Sequence, residues 1–304
     1  MNWRVKAFAQ SALSRLPFGH QLNFALRRYG SHSVPANMAV FHRDVSFARA
    51  HITSFRKYGT RPIEEAAFYE FGVGWDFTIP LSFYIFGVSN QLLVDLYPQL
   101  KADLVALTAC RLAAEYEPPG HKMLPEQLTH STRLLKLRSV LHKDCGMDYR
   151  APFDARHTGL DSACLDYITA TKVLPHISLQ DLRGILRECH RVLRPGGLIR
   201  VLNDYRDMYS YIDDRISVYN FLQFSDDEWR RFNPDLNYQN RLRHIDFVRL
   251  FVDAGFEIVE DEPGYDQDAP REALAAIRLA DRFRSYMLDD LAPVRGVILA
   301  RKPI

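Results

Sequence analysis

A short apolar run that ends in a glycine turn constrains this chain more than any other segment: Ala67-Phe68-Tyr69-Glu70-Phe71-Gly72-Val73-Gly74-Trp75-Asp76. It reads as a buried strand entering a tight Gly-x-Gly turn. Residues 78–86 are apolar enough for the helix that should follow. A second apolar run, Gln91-Leu92-Leu93-Val94-Asp95, then ends in an acid. Strand, glycine turn, helix and a second strand tipped with a carboxylate make a βαβ unit suited to a nucleoside. The glycines let a ligand approach the backbone, and the acid can accept both hydroxyls of a ribose.

The same alternation runs on to the C-terminus. Helices are expected over 99–117 and 125–142, separated by Pro118-Pro119-Gly120. A third strand over 147–150 leads to Pro152-Phe153-Asp154-Ala155, and a fourth covers 163–170. Residues 179–193 form an amphipathic helix, with Leu182, Ile185, Leu186, Cys189 and Leu193 on one face. Arg194-Pro195-Gly196-Gly197 stops it, because proline cannot continue a helix and glycine permits a left-handed cap. Strands at 198–202, 256–260 and 296–300 and helices at 245–254 and 272–291 complete the pattern. Strands alternating with helices predict an α/β fold with a doubly wound, seven-stranded sheet.

Two segments fall outside the alternation. Residues 1–62 form a helical extension, with helices over 3–29, broken near Pro17-Phe18-Gly19, and over 38–58. Residues 205–243 form an aromatic-rich insert after strand five, within a main domain over 63–304. The extension is basic: residues 1–60 carry nine Lys/Arg against one acid, Asp44, although the whole chain has a net charge of only +2. Such helices can pack on the body, cover a pocket or lie on an anionic membrane surface. No run reaches the ~18 apolar residues of a membrane span. Arg4, Lys6 and Arg15 interrupt any signal-peptide core. Cys110, Cys145, Cys164 and Cys189 are scattered without C-x-x-C or metal spacing, so the reading is of reduced thiols in a cytoplasmic protein with no metal.

The turn also discriminates between cofactors. A dinucleotide fold wants G-x-G-x-x-G, and Asp76 and Phe77 follow Gly74 where the third glycine should come. That disfavours an NAD-dependent oxidoreductase, whose pyrophosphate needs the close approach. S-adenosylmethionine has no pyrophosphate, and its ammonium suits a carboxylate at Glu70 or Asp76.

At this point the chain resembles the class I S-adenosylmethionine-dependent methyltransferases, in order from Phe68 to the C-terminus. Glu70-Phe71-Gly72-Val73-Gly74 resembles the family's E/D-x-G-x-G motif, and Asp95 matches its ribose-binding acid. Asp154-Ala155 resembles the pair that meets the adenine amine. Asp166-Tyr167-Ile168 through Val173-Leu174-Pro175-His176 resembles the fourth-strand motif, with Pro175 replacing a common Glu. Leu193-Arg194-Pro195-Gly196-Gly197 and Asp253-Ala254-Gly255-Phe256 resemble the turns before strands five and six. The resemblance implies a Rossmann-like methyltransferase sheet holding S-adenosyl-L-methionine through Glu70, Gly72, Gly74, Trp75, Asp95, Asp154, Ala155 and Thr171. The stretches 217–225 and 237–243 resemble a bacterial subgroup associated with polysaccharide and secondary-metabolite gene sets. Its histidine-rich positions after strand five are absent here.

For the chemistry, an alcohol or phenol acceptor can need a base, and a carboxylate acceptor needs none. His176, Asp204 and Asp207 are the catalytic candidates, because they follow strands four and five where ligands bind. Tyr205, Tyr209 and Tyr238 offer flat faces with hydroxyls to a sugar or aromatic acceptor. Arg241 and Arg243 suit an anionic group on it, or pairing with acids such as Asp246 and Asp253. The sequence thus predicts O-methylation of a small-molecule or glycan acceptor in bacterial biosynthesis, and leaves the oligomeric state open. The alternatives are a nucleic-acid methyltransferase using the basic arm, which lacks an N-P-P-Y-like tetrad, and a non-catalytic binding protein. The joint retention of Glu70, Asp95 and Asp154 argues against the last.

Overall fold

The computed structural model describes residues 1–116, 120–130, 133–266 and 271–304, so the break expected at Pro118-Pro119 lies outside the described residues. Seven strands form one sheet: β1 Ala67–Phe71, β2 Asn90–Val94, β3 Met147–Arg150, β4 Leu165–Thr171, β5 Leu193–Asp204, β6 Glu257–Gly264 and β7 Arg295–Arg301. Their order is β3-β2-β1-β4-β5-β7-β6. The first five run parallel, and β7 lies antiparallel between β5 and β6. The chain leaves β1 toward β2 on one side and reaches β4 on the other. That reversal opens a crevice at the carboxyl ends of β1 and β4.

Helices cover both faces, which is why the strands are almost continuously apolar. Neighbouring residues along a strand point to opposite faces. Tyr69, Ile168, Ile199 and Ile298 enter one core with α8 (Leu179–Val192) and α10 (His244–Asp253). Phe68, Tyr167, Leu198 and Leu299 enter the other with α3 (Met38–Tyr58) and α4 (Thr78–Ile85). On that second side Phe41 and Val45 of α3 also join a cluster with α5 (Ala102–Glu115) and α7 (Leu134–Cys145). The expected helix over 125–142 is divided, with α6 (Glu126–His130) before α7.

A separate core builds the insert. Trp3 and Ala7 of α1 (Trp3–Ser14) pack with Tyr209, Tyr219, Phe221, Trp229, Leu274, Phe283 and Leu291. After α1 the chain turns into α2 (Gly19–Ala25) and a single π-helical turn, Leu26–Gly30. The insert itself holds α9 (Asp226–Arg230) and short 3-10 turns.

The structure corrects two elements. The single helix expected over 272–291 is three short pieces: α11 (Arg271–Ala275), a 3-10 turn Asp281–Phe283 and α12 (Leu288–Leu291). Leu274 and Phe283 would lie on opposite sides of one continuous helix, at about 3.6 residues per turn. Both must enter the insert core, so the helix breaks, and Ala280 N–H donates instead to Leu222 O at 3.0 Å. The Arg194–Gly197 turn does end α8, but it lies within β5 as a bulge. Leu193 pairs with Leu165 and Leu198 with Tyr167, while Gly196 takes φ +78°.

Candidate functional site

The site begins where β1 runs out. Gly72 N–H donates to Val94 O at 2.8 Å, holding the turn against β2. Gly72 and Gly74 take φ of +77° and +83°. A Cβ on Gly72 would stand 2.5 Å from a Val173 methyl carbon, whereas a Cβ on Gly74 would meet nothing within 4 Å. Gly72 is therefore tied to packing, and Gly74 to the space beside the turn. The missing third glycine is Phe77, and its backbone is left-handed all the same, at φ +56°. Its fully buried ring, 5.3 Å from that of Tyr149, offsets the strain. Asp76 accepts from Thr78 N–H and Thr78 Oγ1, both at 3.1 Å, and so opens α4.

Asp95, just past β2, faces this turn. Tyr149 donates its hydroxyl to Oδ2 at 3.0 Å, and Gly74 N–H reaches Oδ1 at 3.4 Å. Burial pushes the carboxyl up to about 7, against the pull of those two bonds and of the Val73 backbone. Glu70, on β1, is buried, and its Oε2 has no hydrogen-bond partner. Burial, then the nearby Asp95 charge, raises its pKa well above the carboxylate range. Thr171 Oγ1, at the end of β4, is also buried without a partner. Buried polar atoms without a protein partner call for one, which a bound ligand or a water can supply.

These residues fit S-adenosylmethionine. Glu70 would face its ammonium, Asp95 its ribose, and the Gly72–Gly74 backbone the chain between them. Asp154 and Ala155 lie on the loop after β3, whose Phe153 N–H donates to Asp95 O at 2.9 Å. Ala155 packs on the core. Asp154 is gripped by Arg156, Nη2 to Oδ2 at 2.7 Å, which holds its pKa below the usual range. Trp75 donates its indole N–H to Gln99. Phe24 stands edge-on to its ring at 5.0 Å, and Arg27 lies over it at 4.7 Å. The helical extension thus roofs the turn.

At the ends of β4 and β5 lie the catalytic candidates. His176 Nδ1 is 2.7 Å from Tyr238 O. A carbonyl can only accept, so Nδ1 carries the proton and a neutral ring keeps a lone pair on Nε2. Desolvation lowers its pKa, against the Tyr238 bond and the Asp204 charge. Asp204 accepts from Arg206 N–H at 3.1 Å and from the Tyr211 hydroxyl. Lys172, absent from the sequence-based candidates, joins them. It sits at φ +62° one residue past β4, with Nζ 3.2 Å from Asp44 of α3. Desolvation lowers its pKa, opposed chiefly by the Asp44 charge and to a smaller extent by Asp204. Only its place after the fourth-strand motif could have flagged it.

Asp207 does not belong to this group. It is fully buried, caps the 3-10 turn Met208–Tyr211 through Tyr209 N–H at 2.9 Å, and accepts from Asn220 Nδ2 at 2.8 Å. No face is left for an acceptor, and burial pushes its pKa up to about 6.

The proposed acceptor contacts also change character. Tyr205 is buried, bonds His244 Nδ1 at 2.8 Å and stacks on Phe247. Tyr209 is buried and donates to Phe232 O at 2.7 Å. Arg241 donates to Phe221 O and Phe224 O at 2.8 and 2.6 Å and pairs with Asp226. Arg243, fully buried, donates to Tyr205 O at 2.7 Å, Leu291 O at 2.8 Å and Pro293 O. Both guanidinium groups satisfy chain carbonyls where the insert has no sheet or helix to do so. They clamp the fold and not an acceptor anion. Tyr238 alone of the five stays half-buried, beside His176.

Comparison with known proteins gives a partial match. A family model described as a methyltransferase domain matches residues 127–201. No curated protein matches the chain. Among solved structures, a putative methyltransferase from Bacillus halodurans is 15% identical, with 84% of this chain and 100% of that one covered, at a TM-score of 0.45. The CurJ carbon methyltransferase is 15% identical, covering 86% of this chain and 54% of that one, at 0.45. Phosphoethanolamine N-methyltransferase 2 of Haemonchus contortus, solved with S-adenosyl-L-methionine, is 14% identical, covering 84% and 53%, at 0.45. The chain spans about half the length of these last two. Likenesses this loose carry no weight beside the strand order and the matched domain. Residues 127–201, which match a methyltransferase domain, lie within a sheet of five parallel strands finished by an antiparallel β7.

Proposed function

We propose that the chain methylates an oxygen of a small-molecule or glycan acceptor held at the carboxyl edge of β4 and β5. The observation that carries this reading is the His176–Tyr238 bond, which fixes the imidazole with Nε2 free to take a proton. Bound at the turn, S-adenosylmethionine would supply an electrophilic methyl group. His176 Nε2 would take the hydroxyl proton as the acceptor oxygen becomes nucleophilic. Asp204 would stabilise the imidazolium that results, and Tyr211 and the Arg206 backbone would hold Asp204 in place. Tyr238 would line the acceptor side. A carboxylate acceptor would need only alignment.

The test is an acceptor screen read by release of S-adenosylhomocysteine. With a hydroxyl acceptor, His176→Gln lowers kcat by about a hundredfold or more and removes the His limb of the pH profile. A preference for amine or carbon acceptors, or an unchanged profile in the variant, overturns the reading.

A further inference from the structure

The N-terminal hairpin turns apolar side chains toward water in two ordered rows. In α1, Trp3, Ala7 and Gln10 are buried against the insert, and Val5 and Phe8 lie on the other side, 61% and 77% exposed. In the next segment Phe18 caps α2, and Leu22, Leu26 and Tyr29 follow at intervals of four, four and three residues through α2 and the π-helical turn. Their exposures run from 42% at Leu22 to 73% at Phe18. Leu16, in the connecting turn, is 51% exposed. The rows continue onto the body: His20 stacks by Tyr97 at 4.7 Å, and Leu96 and Tyr97, just past Asp95, are 58% and 51% exposed.

Phe18 adds a separate observation. It occupies the hairpin tip at φ +67°, a backbone region unfavourable for a bulky side chain, with its ring in solvent. A left-handed aromatic held with its ring in solvent marks a place where a partner outside the fold can act.

Charge identifies the partner. The first 43 residues contain no acid, and Arg4 and Arg15 stand exposed beside the apolar rows. Apart from Arg28, which pairs with Asp103 of α5, the cations of the hairpin stand beside the apolar rows with no acid of their own segment, which matches the interface of an anionic bilayer, where rings and Leu side chains enter the acyl boundary and cations meet phosphates. A nucleic acid would use the cations and leave the apolar rows in water. Among the described residues no helix is long and apolar enough to cross a membrane, so the hairpin would lie on the surface. We propose that the α1–α2 hairpin docks the protein on an anionic lipid surface through Val5, Phe8, Leu16, Phe18, Leu22 and Leu26. The inner side of the same hairpin holds Trp75 through Phe24 and Arg27, so the cofactor crevice would open next to the headgroups.

Co-sedimentation of the full chain with phosphatidylglycerol–phosphatidylcholine vesicles tests this. Binding at low salt should exceed that to pure phosphatidylcholine vesicles and fall as salt rises. The triple variant Phe8→Ser, Phe18→Ser, Leu22→Ser should bind at least about tenfold more weakly, with unchanged melting temperature and S-adenosylhomocysteine affinity. The proposal is overturned if the wild type ignores anionic vesicles at low salt, or if the triple variant binds them equally well. It is also overturned if the rows prove to join two copies, seen as a wild-type dimer that the variant makes monomeric. Tight binding of RNA or duplex DNA that survives the triple variant, with no vesicle binding, would assign the cations to nucleic acid.

Discussion

The Gly74 N–H lies 3.4 Å from Asp95 Oδ1, so the glycine turn and the acid form one corner. The turn aims a backbone donor at the carboxylate, and Tyr149 holds the other oxygen. Asp95→Asn keeps the shape and removes the charge. S-adenosylhomocysteine should then bind about ten- to a hundredfold more weakly by calorimetry, because charge-assisted bonds to the ribose are lost. Unchanged affinity would remove Asp95 from the site.

Asp95 also sets a pH dependence. Burial pushes its carboxyl up to about 7, so in the ligand-free protein it titrates near neutral pH. Ribose hydroxyls donate best to the ionised form, so affinity should rise with pH through about 7 and level off above it. Asp95→Asn should flatten that curve. The linkage to folding has the opposite sign: a carboxyl raised in the fold binds its proton more tightly folded than unfolded. Ligand-free stability therefore falls as pH climbs from about 4 to 7 through this group.

The two glycines should fail differently. Gly72→Ala meets both left-handed strain and a Val173 methyl carbon at 2.5 Å, and should lose about 2–4 kcal/mol in urea unfolding. Gly74→Ala meets open space and should lose only about 1–2 kcal/mol. Its methyl group enters the space beside the turn, so the larger effect should be on S-adenosylhomocysteine affinity. Equal stability losses would refute the division of roles.

Arg243→Met tests the structural assignment of the arginines. It strands the carbonyls of Tyr205, Leu291 and Pro293 in a buried place and should cost about 3 kcal/mol or more in urea unfolding. An anion clamp would instead show a raised acceptor KM with the fold intact.

Long-range nitrogen–proton NMR on His176 reads the tautomer directly. The expected spectrum shows a protonated Nδ1 and an unprotonated Nε2 at pH 7, set by the Tyr238 carbonyl. A protonated Nε2 in the neutral ring would leave no base facing the edge.

How far the sequence could be read follows from where its information lies. The β1 run, the Gly72–Gly74 turn and Asp95 are local signals, and helix 38–58 and strand 147–150 appear at their expected bounds. Lys172 and Phe77 were illegible because both depend on a left-handed backbone at non-glycine residues, which only the finished packing supports. Tyr205, Tyr209, Arg241 and Arg243 looked like acceptor contacts because an aromatic, cationic stretch is the composition of a pocket. It is equally the composition of a core that lacks regular secondary structure and satisfies its carbonyls with guanidinium groups. Choosing between them requires contacts such as Arg243 to Leu291, 48 residues apart.

Trp3 N–H donates to the carboxylate of Asp213, a partner 210 residues later in the chain. On the ribosome, the hairpin therefore emerges long before the insert that will shelter Trp3 exists. At roughly 5–20 residues per second, that interval is on the order of ten seconds or more. Throughout it both sides of α1 are bare, the side destined for the insert as well as the side that stays outside. The nascent segment is then at its most adhesive, and a lipid surface or a chaperone would meet it before its own fold does.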